Sequence, residues 1–159
     1  MNLLMVGKTG VFETLAVASG YLDQPDICAC PYFADMALEN SRKVLKVGEN
    51  RGQELFVVGF KAPDIIFKIN QDLMSLSEIN GKDRLQTVPI SIKGETTTFL
   101  LSKLANIPVI GYFFLLWARR RTLGRLPYLL EYGENLRMEN SMDSRDKKEF
   151  AVAAKPYRK

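Results

Sequence analysis

The constraint that narrows the fold most lies at the start of the chain. Leu3, Leu4, Met5 and Val6 form a short run that is apolar at every position, and Gly7-Lys8-Thr9-Gly10 ends it at once. A strand with one wet face alternates apolar and polar residues, so a run without alternation is covered on both faces, as in a parallel sheet. Beyond the loop, Val11, Phe12, Leu15, Ala16 and Ala18 recur at helical spacing toward Leu22. Strand, tight loop and helix in that order predict a buried first strand feeding a helix that packs back over the sheet.

The following segments extend this pattern. Residues 44–47 and 54–58 flank Gly48-Glu49-Asn50-Arg51-Gly52, which predicts a β-hairpin with a five-residue turn, its Gly and Asn supplying left-handed conformations. The second arm, Leu55-Phe56-Val57-Val58-Gly59, is apolar on both faces and is expected to be central. Pro63 opens a helix whose stripe of Ile65, Ile66, Ile69, Leu73, Leu76 and Ile79 leads to Asn80-Gly81. A further strand is expected over residues 85–92, with Pro89 placing it near an edge or a bulge. A threonine among Thr96, Thr97 and Thr98 is expected to cap a helix over residues 99–105, and Pro108 to start another. Residues 24–40, punctuated by Pro25 and Pro31, read as a connector packed on the core.

The fold class expected is therefore α/β: a mainly parallel central sheet with an added β-hairpin and helices on both faces, one domain over residues 1–132. Residues 133–159 lack periodicity and mix charges with Asn and Ser, so they read as a basic, flexible C-terminal tail. Charge is distributed accordingly: residues 1–117 carry 11 Lys/Arg against 12 Asp/Glu, and residues 118–159 carry 11 against 6. Such a basic region fits a solvated tail, nucleic acid or an anionic membrane surface.

The composition also removes whole chemistries. With no histidine in 159 residues, Ser-His-Asp and Cys-His nucleophile activation, HExxH zinc sites and histidine proton shuttles are excluded within this chain. Cys28 and Cys30 stand as C-x-C with no other Cys or His to complete a tetrahedral set, so no metal and no cofactor is expected, only reduced thiols in a cytoplasmic protein. Either thiol as a nucleophile would need activation by Lys, Arg or a helix N-terminus. The first residues carry no charged leader and no cleavage site, and read as a strand.

The first strand and loop, Pro31-Tyr32-Phe33, and the hairpin from Val47 to Gly59 together resemble a small uncharacterised domain family of unknown function from spore-forming Gram-positive bacteria. The similarity spans residues 2–132. Typical members follow the first strand with Gly-Gly, a histidine and small hydroxyl residues, which looks like a reactive or anion-binding loop. Here the matching stretch is Lys8-Thr9-Gly10-Val11-Phe12-Glu13, with neither histidine nor serine. The resemblance thus implies the fold, in a divergent member whose loop chemistry has changed or been lost.

Two candidate sites emerge. Gly7, Lys8, Thr9 and Gly10 stand where a strand feeds a helix, a place where free N–H groups and an ammonium favour an anion such as a phosphorylated small molecule. The loop lacks the first glycine of a P-loop and is too short to wrap a triphosphate, so the alternative is a tight turn that uses glycine for backbone reasons. The second candidate is Tyr112-Phe113-Phe114-Leu115-Leu116-Trp117 with Arg119, Arg120, Arg121 and Arg125 behind it. Its apolar stretch of about a dozen residues is shorter than the roughly 20 that cross a bilayer. It reads as core plus a partner surface anchored by Phe113, Phe114 and Trp117, most simply that of a homo-oligomer, with a membrane surface or nucleic acid as the other partners. The carboxylates of Glu13, Asp64, Glu78 and Glu95 are scattered in sequence and are expected on the surface. The function expected is a non-catalytic binding or assembly protein, the alternative being a small phosphoryl- or nucleotide-handling enzyme that uses Lys8 and Thr9.

Overall fold

The computed structural model describes residues 2–76 and 85–141, with the backbone alone at 73–76. Strand β1, Asn2–Gly7, runs between β3, Gln53–Gly59, and β4, Leu85–Pro89, parallel to both; β2, Leu45–Asn50, lies antiparallel on the outer side of β3. The order is β2-β3-β1-β4, a mixed, mostly parallel open sheet. Helices α1, Glu13–Tyr21; α2, Met36–Ser41; α3, Pro63–Leu76; α4, Glu95–Leu104; α5, Gly111–Gly124; and α6, Leu126–Ser141 surround it.

The unbroken apolar run of β1 is explained by its place. Leu3 and Met5 face one side with Leu55 and Val57, under α1; Leu4 and Val6 face the other with Val58, under Ile66 of α3. Every residue of α1 is buried because α6 packs across its outer side. That crossing is close. A Cβ at Gly20 would run into the backbone of Leu130, and one at Gly133 into the carbonyl of Val17. The boundary expected at residue 132 is thereby displaced: Gly133 is a helix-contact glycine inside α6, and the helix continues to Ser141. Residues 142–159, like Glu78, Ile79 and the rest of the 77–84 segment, lie outside the described residues.

Three local expectations are corrected. The hairpin turn is Arg51-Gly52 alone, with φ of 52° and 76°, because a two-residue turn that matches strand twist needs both central residues left-handed. Residues 48–50 belong to β2, which absorbs Val47 as an extra residue where the register shifts between Lys46 and Gly48. β4 stops at Pro89, where the N–H of Ile90 donates to the carbonyl of Val6 and the chain leaves the edge. α4 begins at Glu95 behind Gly94, at φ 87°, with no threonine cap; the Thr98 hydroxyl is engaged elsewhere.

Candidate functional site

In an open α/β sheet the crevice outside the carboxyl ends of the strands, where successive connections leave to opposite faces, is the place where ligands bind. Here α1 and α3 leave on opposite faces, and the crevice is built from the loop after β1, the end of β3 at Gly59, and residues 90–94 after β4. Gly7, Lys8, Thr9 and Gly10 lie there, between β1 and α1.

What the loop holds is the protein's own carboxylate. Asp35 caps α2 by accepting hydrogen bonds from the N–H groups of Ala37 and Leu38, and this short helix delivers Glu39 to the loop. Glu39 Oε2 accepts from the N–H of Gly10 at 2.8 Å and of Val11 at 3.1 Å. Glu39 is 6% exposed, and burial pushes its carboxyl above the ordinary range while the two N–H groups pull it back. The other groups of the loop are committed as well. Thr9 Oγ1 accepts from the N–H of Glu13 at 3.3 Å, and Lys8 Nζ donates to Thr96 Oγ1 at 2.8 Å and pairs with Glu95 at 3.4 Å. The glycines are close-packing residues: a Cβ at Gly10 would lie 2.7 Å from the Gly59 nitrogen, and one at Gly7 would strike the Thr14 hydroxyl. The N–H groups of Gly10 and Val11 are thus engaged by Glu39, and the Lys8 ammonium by Thr96 and Glu95, within the chain.

A second buried cluster adjoins the first. Glu13, 1% exposed, accepts from the Thr98 hydroxyl at 2.9 Å and from Arg125, which also donates to the carbonyl of Lys93. Arg121 donates to the Gly94 carbonyl at 3.4 Å. Burial raises the Glu13 pKa, the Thr98 hydrogen bond and the Arg125 charge oppose that, and the neighbouring Glu95 adds to it. The expectation of surface carboxylates is therefore overturned for Glu13 and Glu95, both buried, and holds for the exposed Asp64. Sequence reasoning missed Glu39 altogether. The signal that would have found it is physical and not a motif: glycine-loop N–H groups buried in a strand-helix turn require an acceptor. Among the described residues no group of three or more Cys, Asp or Glu stands ready for a metal ion.

The second candidate surface has the opposite character. At 3.6 residues per turn, Tyr112, Phe113, Leu116, Trp117 and Arg120 share one side of α5, and the buried Gly111, Ala118 and Thr122 share the other. The small residues let α5 sit close on the fold, held by Arg121 and Arg125. They leave Tyr112 70%, Phe113 62% and Trp117 55% exposed, and Phe114 half-buried. The turn before the helix adds Ile107, Ile110 and a fully exposed Val109 at φ 72°, and α4 adds Leu100. The helix, read from the sequence as core plus a partner surface, has one buried side and one bare apolar side. Arg119 lies over the Phe33 ring at 5.8 Å, and Arg120 has no partner among the described residues. An open groove of about 640 Å³ brings Arg120, Arg121 and Arg125 beside Trp117 and Leu101.

Cys28 is an exposed free thiol and Cys30 a half-buried one packed against the core. No described helix is long and apolar enough to cross a membrane. No family model, curated protein or solved structure matches this chain.

Proposed function

We propose that this is a cytoplasmic, non-catalytic binding protein that works through the outer side of α5 and the turn before it. The observation that carries this reading is the cluster of Tyr112, Phe113 and Trp117 on one side of α5 with Val109 in the turn before it, large apolar side chains left in water. Monomeric proteins rarely keep such a contiguous patch without using it. Against the enzyme alternative stand the partners that Lys8, Thr9 and the N–H groups of Gly10 and Val11 have within the chain.

The test pairs the two surfaces. Thermal shift against nucleotides and phosphorylated metabolites is expected to give no specific rise; a rise abolished by Lys8→Ala would return the function to the first loop. Light scattering at several concentrations, with binding assays on vesicles and oligonucleotides, is expected to reveal an association that Phe113→Glu removes without changing the circular dichroism spectrum. A strictly monomeric protein without affinity for any of these would refute the reading.

A further inference from the structure

We infer that the surface bound by the α5 face is the anionic face of a lipid bilayer, with the apolar side chains entering the acyl boundary and the arginines lying at the headgroups. This rests on the binding-face reading and names its partner. Charge is the first reason. Between Glu95 and Glu131 the sequence has no carboxylate, while it has Lys103, Arg119, Arg120, Arg121 and Arg125. A two-fold contact sets a patch against itself, so Arg119 and Arg120 of one copy would meet those of the other with no acid from this segment to neutralise them. A negatively charged planar partner removes that conflict.

The kind of side chain is the second reason. Ile107, Val109, Ile110 and Leu116 are aliphatic and exposed, and they find no complement in a phosphate backbone or a stacked base. They find one in hydrocarbon. The aromatic residues beside them, Tyr112 and Trp117, suit the level where headgroups meet acyl chains. Val109 is a β-branched residue held at φ 72° on the tip of its turn and fully exposed, so neither its conformation nor its size is rewarded within the fold. The groove beside Trp117 is lined by Arg120, which has no partner among the described residues, so a cationic donor stands next to the inserted edge, where a headgroup phosphate would lie. Shallow apolar insertion joined to basic residues is the physical recipe for lying on a membrane without crossing it.

Trp117 is the only tryptophan, so its emission reports directly on this face. The protein should sediment with phosphatidylcholine vesicles containing phosphatidylglycerol, with a blue shift of Trp117 emission, and stay in solution with phosphatidylcholine alone. Added salt should weaken binding. Arg119→Gln with Arg120→Gln should weaken it roughly five-fold per arginine. Phe113→Glu keeps the reporter and should abolish the shift, whereas Arg51→Gln at the hairpin tip should change nothing. Absence of sedimentation and shift with anionic vesicles at low salt overturns the inference. If the protein then self-associates with concentration and Phe113→Glu stops it, the binding-face reading survives with a second copy as partner. Tighter binding to an oligonucleotide than to vesicles also overturns the lipid assignment while keeping the face. A monomer that binds none of these overturns both.

Discussion

The strand-end crevice and the outer side of α5 meet at Arg121 and Arg125, yet they treat their functional groups in opposite ways. In the crevice Glu39 fills the loop donors, Glu95 holds Lys8, and Arg125 holds Glu13. On the helix face, large apolar groups stand exposed and Arg120 has no partner among the described residues. Where an α/β fold ordinarily keeps its ligand, this chain places contacts among its own residues, and exposed apolar surface lies one helix away. Charged groups alone are therefore a poor guide to a site; what separates the two regions is whether their partners lie within the chain.

That contrast breaks first at Glu39. If its carboxylate is the resident anion of the loop, Glu39→Ala leaves two buried N–H groups without an acceptor and should cost on the order of 4 kcal/mol, at 1.5–3 for each charge-assisted bond. Urea unfolding measures it. A loss below about 1 kcal/mol would mean that the loop donors can find water or another anion, and the crevice would again be a candidate site. Arg125→Gln comes next, with an expected loss of about 3 kcal/mol, because removing one partner strands the buried Glu13 charge. Here the loss should shrink in mild acid, as protonation of Glu13 removes the stranded charge.

The pH dependence sharpens the same point. Burial holds the Glu13 and Glu39 carboxyls above the ordinary value of 4.5, so the folded state binds these protons more tightly than the unfolded chain. Their contribution to stability is fully present below that ordinary value and is lost as pH rises through the raised folded values. Measured as the difference in unfolding free energy between wild type and Glu13→Gln, the wild type should lose ground with rising pH across this window. A difference that is flat with pH would mean that Glu13 is solvated and the cluster is not closed.

Much of the fold was legible because burial writes itself into composition. Leu3, Leu4, Met5 and Val6 of β1 are all apolar since helices cover both of its faces, and Leu55, Val57 and Val58 are apolar since β3 lies inside the sheet. Gly133 was illegible for the complementary reason. Its place in α6 depends on Gly20 and Val17 of α1, more than a hundred residues earlier, and nothing beside it in sequence announces a helix crossing. Glu39 is similar: it sits 28 residues from Val11 on a helix of 6 residues, too short to leave a periodic signal. At α5 the apolar run was plain, but whether it faced protein or water turned on Gly111, Ala118 and Thr122, small residues whose packing a hydropathy pattern does not weigh.

The smallest expected effect is the one that completes the comparison. Trp117→Glu and Phe113→Glu replace large apolar groups that already stand in water, so they remove little buried area and leave no polar group orphaned. Unfolding free energies should stay within about 0.5 kcal/mol of wild type, as for surface positions in general, and the exchange of a tilted Phe113–Trp117 ring contact at 5.8 Å for a solvated carboxylate lies within that range. A core helix would behave otherwise, since burying a glutamate charge without a partner costs several kcal/mol and would unfold a marginal domain. Denaturant titration of the two variants therefore separates a contact face from a core face without knowledge of the partner. A loss above about 2 kcal/mol for either variant would place that side chain in an interior, and the division between a self-satisfied crevice and an open helix face would no longer hold.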